Sequence, residues 1–136
     1  MMSSCALAAA QSEPKPVAID EDHLGRMTLG DRRLEREVLE LFLRQTTIML
    51  DRIIGAEPAL AAAAAHTLKG SARGIGAWRV ARAAEILEQA AGCVDASDPE
   101  HDLEDALAEL KAASLEAGAA IAVRLTALFD ELGAHR

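Results

Sequence analysis

Four stretches of this chain carry apolar residues at every third or fourth position, and each stretch is bounded by glycine or proline. This spacing places the apolar side chains along one side of an α-helix. The composition favours helices over strands, because 30 residues are alanine whereas valine, isoleucine and threonine together number only 17. Four amphipathic helices joined by short loops predict an all-α chain folded as an antiparallel four-helix bundle.

Caps and helix breakers set the limits of the first two predicted helices. The first begins after Asp31, a favourable N-cap residue, and ends at Gly55. The second begins at Pro58, whose missing N–H has no cost in a first turn, and stops at Gly74-Ile75-Gly76.

The third predicted helix covers residues 77–94, and the last begins at Ser97-Asp98-Pro99, where a cap residue precedes proline. The residues expected to face the core are Leu34, Val38, Leu41, Phe42, Gln45 and Met49 in the first helix, Val80, Ala84, Leu87 and Ala91 in the third, and Leu103, Leu107, Leu110, Ser114, Ala117, Ile121, Leu125, Leu128 and Leu132 in the last.

The chain is long enough for one domain and too short for two. Pro14 and Pro16 prevent a continuous helix near the start, so residues 1–19 are predicted to form a flexible leader. Residues 20–26 are predicted to form a short extra helix, and residues 20–133 to make up the bundle domain.

Charge and composition exclude several classes of partner. The net charge of -8 argues against a nucleic-acid-binding protein, which needs a basic face. No apolar run approaches eighteen residues, and the first residues lack the basic start of a secretory signal. Cys5 and Cys93 form neither a disulfide framework nor a metal site. A cytoplasmic protein with no membrane partner and no metal is expected.

The segment from His66 to Arg73 is the strongest candidate for chemistry. On a helix, His66, Lys69, Gly70 and Arg73 fall within an arc of about 100°. Leu68 lies on the opposite side with the alanines that face the core. A histidine buried for packing would lie on that apolar side, so His66 is predicted to be exposed.

Gly70 strengthens this interpretation. Glycine inside a helix costs about 0.5–1 kcal/mol relative to alanine, which this chain uses at most other small positions. A glycine one turn beyond His66 leaves bare backbone, so that another protein can approach the imidazole. Ala62 and Ala63 are predicted to belong to the same docking patch. A close helix–helix crossing at Gly70 is the alternative.

An exposed histidine beside a lysine suits phosphoryl transfer, because neutral imidazole is a nucleophile near pH 7 and an ammonium balances phosphate charge. The sequence has no phosphate-binding glycine motif, so the phosphoryl group has to come from another protein, with any Mg²⁺ on that partner and no cofactor on this chain. The other charged and histidine residues are interpreted as solvated surface: Glu35, Glu40, Glu85, Glu88, His23, His101 and His135.

The segment His66-Thr67-Leu68-Lys69-Gly70-Ser71-Ala72 followed by Ile75-Gly76-Ala77 resembles the signature of histidine-containing phosphotransfer (HPt) domains. These are four-helix bundles that relay phosphoryl groups between receiver-domain aspartates in bacterial two-component signalling. The segments Leu29-Gly30-Asp31, Leu39-Glu40-Leu41-Phe42-Leu43 and Ala83-Ala84-Glu85-Ile86-Leu87-Glu88 are similar to the flanking helices of that family.

The resemblance implies that His66 is phosphorylated at Nε2, that Lys69 assists with phosphate charge and that Gly70 clears space for the receiver. Arg73-Gly74 departs from the family's small residue followed by asparagine, and Gly74 is expected to supply the same positive-φ turn. We expect Arg73 to hold phosphate as a second cation. Gln45 is expected either to hydrogen-bond His66 or to pack at the edge of the core.

The resemblance also implies a function and partners. The chain is expected to be a phosphorelay intermediate, neither an ATP-dependent kinase nor an enzyme by itself. A monomer is expected because the bundle can close its own core, and dimerisation through the long last helix is the alternative. Its partners are response-regulator receiver domains and a hybrid sensor histidine kinase. The alternative is a helical module that binds or sequesters a receiver without transferring phosphate. A dimeric kinase-like phosphotransferase would need an ATPase-like domain for which the chain, ending at Arg136, is not expected to have room.

Overall fold

A computed structural model describes residues 17–92 and 99–134, and all the regular structure in these residues is helical. The all-α prediction is therefore confirmed, including the short extra helix near the N-terminus. The five helices are α1 Glu21–Met27, α2 Arg32–Ile53, α3 Pro58–Ile75, α4 Trp78–Gly92 and α5 Pro99–Ala134.

Helices α2 to α5 form a closed ring of neighbours. Helix α4 packs against α3 and α5, and α2 packs against the same two helices, so that α3 and α5 lie diagonally across the bundle from each other. Helix α1 packs outside this ring, against α3. The short connections make consecutive helices antiparallel, as expected of a bundle.

The core is built from leucine and alanine. Leucines from every helix supply bulk, while alanines on α3 and α4 let these two helices approach closely. The predicted core face of α4 is confirmed, and so is that of α5 except for Leu132, which is not part of the core cluster. The largest fully buried apolar side chains are Leu24, Leu39, Leu68, Val80, Leu87, Leu110, Ile121 and Leu128.

The predicted core face of α2 is wrong in part. Phe42 and Met49 are buried, but Leu34 and Leu41 are exposed. The buried stripe is Glu35, Leu39, Phe42, Thr46, Met49 and Ile53. Its polar members are satisfied, because Thr46 Oγ1 donates to the carbonyl of Phe42 at 2.7 Å and the Glu35 carboxylate is paired with Arg124. Glu35 is therefore not surface charge.

A left-handed residue ends α3 and turns the chain into α4. Gly76 has φ +81°, and a Cβ at this position would lie 2.9 Å from the carbonyl oxygen of Asp20. The expectation that Gly74 makes the positive-φ turn is wrong, because Gly74 lies inside α3 and Gly76 caps it. Glycine is needed here both for the backbone angle and for the close approach of Asp20.

The start of α1 is fastened to this turn. The backbone N–H of Asp20 donates to the carbonyl of Gly76 at 2.9 Å, and its carboxylate accepts from Trp78 Nε1 at 3.0 Å. His23 Nε2 lies 2.9 Å from the carbonyl oxygen of Arg73, and its ring contacts Trp78 with centroids 4.8 Å apart. The interpretation of His23 as a solvated residue is therefore wrong.

Three expectations fall on residues without a structural description. The predicted leader lies outside the described residues up to residue 16, and the described Ile19 is partly buried against the core. Residues 93–98, with the predicted cap at Ser97 and Asp98, and the side chains of His101 and His135 are likewise outside.

The stretch Asp102–Gly133 is long and apolar enough to cross a membrane by length and composition, yet one side of it packs in the bundle core.

Candidate functional site

His66 lies midway along α3 on the side that faces solvent. Its side chain is 66% exposed, as the helical spacing predicts. The opposite side of α3 is buried, because Ala65 and Leu68 are completely enclosed by neighbouring helices. The helix therefore presents the imidazole outward from a rigid, packed support.

The imidazole is oriented by a carboxylate from the next helix. His66 Nδ1 lies 2.9 Å from Glu88 Oε2. An ionised carboxylate only accepts hydrogen bonds, so in the neutral imidazole the proton sits on Nδ1 and Nε2 carries a free lone pair. This arrangement makes Nε2 the nucleophilic nitrogen of the site.

Lys69 completes the site from one turn further along α3. Its ammonium donates to Glu88 Oε1 at 2.8 Å, and its side chain is only 15% exposed. The prediction that Lys69 shares the open face of His66 is therefore wrong, because the carboxylate on α4 draws the ammonium toward the helix interface. The hydrogen bond from Lys69, together with a weaker contribution from His66, lowers the pKa of Glu88.

Glu88 is the site residue that the sequence interpretation missed. Its position on the polar side of α4 suggests a surface charge. Because α4 packs antiparallel against α3, however, its carboxylate lies beside His66. His66 and Glu88 are equidistant along the chain from Ala77 in the turn. Residues equidistant from such a turn lie side by side, so this pairing was present in the sequence.

Gly70 lies in open space on the exposed side of α3. No heavy atom lies within 4 Å of the place where a Cβ would be. The close helix–helix crossing considered for Gly70 is therefore excluded. The glycine leaves the backbone uncovered beside His66, as the steric interpretation requires.

A shallow apolar groove runs between α2 and α3 near His66. Its volume is about 310 Å³, and its lining residues are Met49, Arg52, Leu60, Ala63, Ala64 and Thr67. Of the predicted docking residues, Ala63 is exposed in this groove, while Ala62 is partly buried against the core. Leu60 is 63% exposed and was not predicted. It adds a large, exposed apolar side chain beside the small Ala63.

Gln45 and Arg73 each contact a residue other than His66. Gln45 Oε1 accepts a hydrogen bond from Ser71 Oγ at 2.9 Å, so Gln45 orients Ser71 and the expected bond to His66 is wrong. Arg73 is exposed, and its guanidinium lies 3.8 Å from Glu85 Oε2. Its position one turn beyond Lys69 keeps a second positive charge on this face of α3.

The arrangement combines a nucleophilic nitrogen with nearby positive charge on an open surface. Such a site suits the transfer of a group between proteins, since phosphoryl transfer needs chiefly positioning and charge balance. Among the described residues, no group of three or more histidine, cysteine, aspartate or glutamate side chains is placed to hold a metal ion.

Comparisons with known proteins agree with this description. The family model of the Hpt domain matches residues 37–134. A solved rice structure, described as that of a histidine-containing phosphotransfer protein, has the same fold with a TM-score of 0.71. It is 16% identical to this chain, and the match covers 95% of this chain and 91% of the rice chain. A comparison with curated proteins finds no match. The chain thus belongs to the family of Hpt domains, the histidine phosphotransfer proteins.

Proposed function

We propose that the protein is a phosphorelay intermediate in which His66 accepts a phosphoryl group from the aspartyl phosphate of one receiver domain and passes it to another. The observation that carries this proposal is the exposed imidazole whose Nδ1 is bonded to Glu88. In the neutral ring that bond keeps the proton on Nδ1 and leaves the lone pair of Nε2 free on the exposed imidazole, as a phosphoryl acceptor requires.

The proposed step is a direct displacement at phosphorus. The lone pair of His66 Nε2 forms an N–P bond while the bond between phosphorus and the aspartyl oxygen breaks, and the receiver regains a free aspartate. The phosphorylated ring then holds its proton on Nδ1, where it carries positive charge. The Glu88 carboxylate at 2.9 Å stabilises that charge, and reversal of the step hands the group to a second receiver.

The neighbouring residues have supporting roles in this proposal. Lys69 holds Glu88 in place in the resting state and is within one turn of His66, so it can also balance the charge of the bound phosphoryl group. Arg73 adds a further positive charge on the same side. Gly70 and the groove containing Leu60 and Ala63 accept the surface of the receiver, which we expect to bring its own Mg²⁺.

Transfer from a phosphorylated receiver tests the proposal. Receivers from the same organism, including that of a hybrid sensor kinase, would be labelled and mixed with the wild-type protein, H66Q and H23Q. We expect an acid-labile label on the wild type and on H23Q and none on H66Q. His23 is a matched control because it is the other histidine with a described side chain, and it contacts the last turn of α3.

The relay itself needs a second receiver. Purified protein labelled on His66 would be mixed with unlabelled receivers, and we expect at least one to take up the label within seconds to minutes. Binding of receivers without labelling of the wild type would overturn the relay. It would favour the alternative function, a module that sequesters a receiver.

A further inference from the structure

The long helix α5 carries a second apolar face that this chain does not cover. Leu115, Val123 and Phe129 are 76%, 73% and 67% exposed. Ala119 and Ala122 are exposed between them, so the face is continuous over about four turns. On a helix it lies directly opposite the core face. A helix that is apolar on both sides is normally covered on both sides.

The polar atoms of this face are already satisfied. Thr126, the one hydroxyl residue between Leu115 and Phe129, donates its Oγ1 proton to the carbonyl of Ala122 at 3.0 Å. The face can therefore be removed from water without leaving a hydrogen-bonding group unpaired. The charged residues that border the face are Lys111 at one end, Asp130 at the other, and Glu116, paired with Arg79, along one side.

We propose that a second copy of this chain covers the face, through an antiparallel α5–α5 contact with its two-fold axis at Ala122. The placement of the two largest side chains of the face supports this occupant. Leu115 and Phe129 are equidistant from Ala122, so each bulky side chain meets the other bulky type on the partner. The alanines near the axis allow the helix backbones to approach closely.

Charge also favours the antiparallel arrangement. It brings Lys111 of one copy to the same end of the interface as Asp130 of the partner, whereas a parallel arrangement would group like charges at each end. The closed core favours a monomer, whereas the uncovered face of α5 favours the alternative, dimerisation through the last helix.

The dimer leaves the phosphotransfer site open. Helix α5 packs against α2 and α4, and α3 lies diagonally across the bundle. The two copies of His66 would therefore face outward on opposite sides of the dimer, each accessible to its own receiver. Association through α5 is thus independent of the proposed relay, and it can fail without affecting it.

Sedimentation equilibrium of the full chain tests the proposal. We expect the wild type to approach twice the single-chain mass of 14.4 kDa at tens of micromolar. A122E, which places a charge at the axis, should return it to the single-chain mass. A127E is the matched control, because Ala127 is exposed on α5 but lies outside the face, and it should remain dimeric. Circular dichroism and receiver labelling would establish that both variants are folded.

Cysteine cross-linking tests the orientation. In a background with Cys5 and Cys93 changed to serine, A122C should form an interchain disulfide. L115C should not, because its two copies would lie about 21 Å apart along the helix axis. A wild type that stays at the single-chain mass, or equal effects of A122E and A127E, would overturn the dimer. Cross-linking of L115C would overturn the antiparallel orientation, and a single-chain mass with binding to phosphatidylcholine–phosphatidylglycerol vesicles would assign the face to lipid.

Discussion

The Glu88 carboxylate couples two residues that the sequence places three positions apart on α3. One oxygen holds the proton of His66 on Nδ1, and the other holds the ammonium of Lys69. The two hydrogen bonds share one acceptor, so the loss of either donor changes the position of the carboxylate for the other. Substitutions of Lys69 and Glu88 are therefore expected to be non-additive in their effect on His66.

Replacement of Glu88 by glutamine should slow phosphorylation of His66 by about tenfold. Glutamine can still accept the Nδ1 proton, but a neutral acceptor gives up the extra strength of a charge-assisted bond just as the ring becomes positive. E85Q is the matched control, because Glu85 is on the same helix and contacts Arg73 instead of His66. Initial rates of labelling by a phosphorylated receiver measure the effect, and equal rates for E88Q and the wild type would contradict it.

The depressed pKa of Glu88 predicts a pH-dependent contribution to stability. Hydrogen bonds from Lys69 and, more weakly, from His66 hold this pKa below the usual value of 4.5. The folded state thus favours the ionised carboxylate, so the contribution is present above about pH 4.5 and is lost as the pH falls through the lower folded-state pKa. Urea unfolding of the wild type and E88Q should show a difference in stability at pH 7 that shrinks toward pH 3. A constant difference would count against this cause.

At the residue scale, the sequence supported some site residues much better than others. His66 and Gly70 could be found because they break the apolar pattern of a single helix, and that pattern is local. The contacts of Glu88 and Gln45 cannot be identified in this way, because they depend on which helix packs alongside. Charged residues on the polar side of a helix cannot be told apart from sequence until the facing helix is known. For the same reason the buried Glu35 was interpreted as surface charge.

At the scale of elements, the boundaries of the helices were the best-predicted feature. Asp31, Pro58 and Gly76 act through their own backbone and side-chain chemistry, so their effect can be read without tertiary structure. The face that α2 buries was predicted less well. Helix α2 packs against both α3 and α5, so its buried side depends on where these two helices lie. That side includes Glu35, paired with Arg124, and leaves Leu34 and Leu41 exposed.

The turn between α3 and α4 should not tolerate a side chain at Gly76. Alanine at φ +81° carries about 1–2 kcal/mol of strain, and its Cβ would meet the carbonyl oxygen of Asp20 at 2.9 Å. G76A is therefore expected to lower the free energy of unfolding by about 2 kcal/mol or more. G74A is the control, because Gly74 lies inside α3 with nothing near its Cβ position, and alanine there should be neutral or stabilising. Similar losses in the two variants would contradict this account.

At the scale of the whole molecule, α3 and α5 lie diagonally across the bundle. This separates the helix that presents His66 from the ion pairs that hold the bundle together. One corner presents His66, and the opposite corner holds the ion pairs that connect α5 to the rest of the chain. Arg79 of α4 is bonded to Glu116, and Arg124 reaches Glu35 of α2. Substitutions in these ion pairs of α5 should therefore lower the stability of the bundle far more than they slow phosphoryl transfer.

The pair between Glu35 and Arg124 provides the test of this separation. Arg124 Nε lies 2.5 Å from a carboxylate that is 3% exposed, and this hydrogen bond raises the pKa of Arg124. R124A would leave the buried charge of Glu35 with only the half-exposed Arg32, so we expect a loss of about 2–4 kcal/mol. R36A, which removes an exposed pair with Glu40 on the same helix, should cost about 0.5 kcal/mol or less.

Two measurements on R124A distinguish a structural role from a role in transfer. Urea unfolding reports the loss of stability, and the double variant E35Q/R124M should recover part of it, because no unpaired charge then remains buried. Labelling of His66 at a temperature where R124A is folded should proceed at the wild-type rate, since Arg124 lies on α5, diagonally across the bundle from α3. Slower labelling of the folded variant would mean that the ion pair influences the site through the bundle, and the two corners would then not be independent.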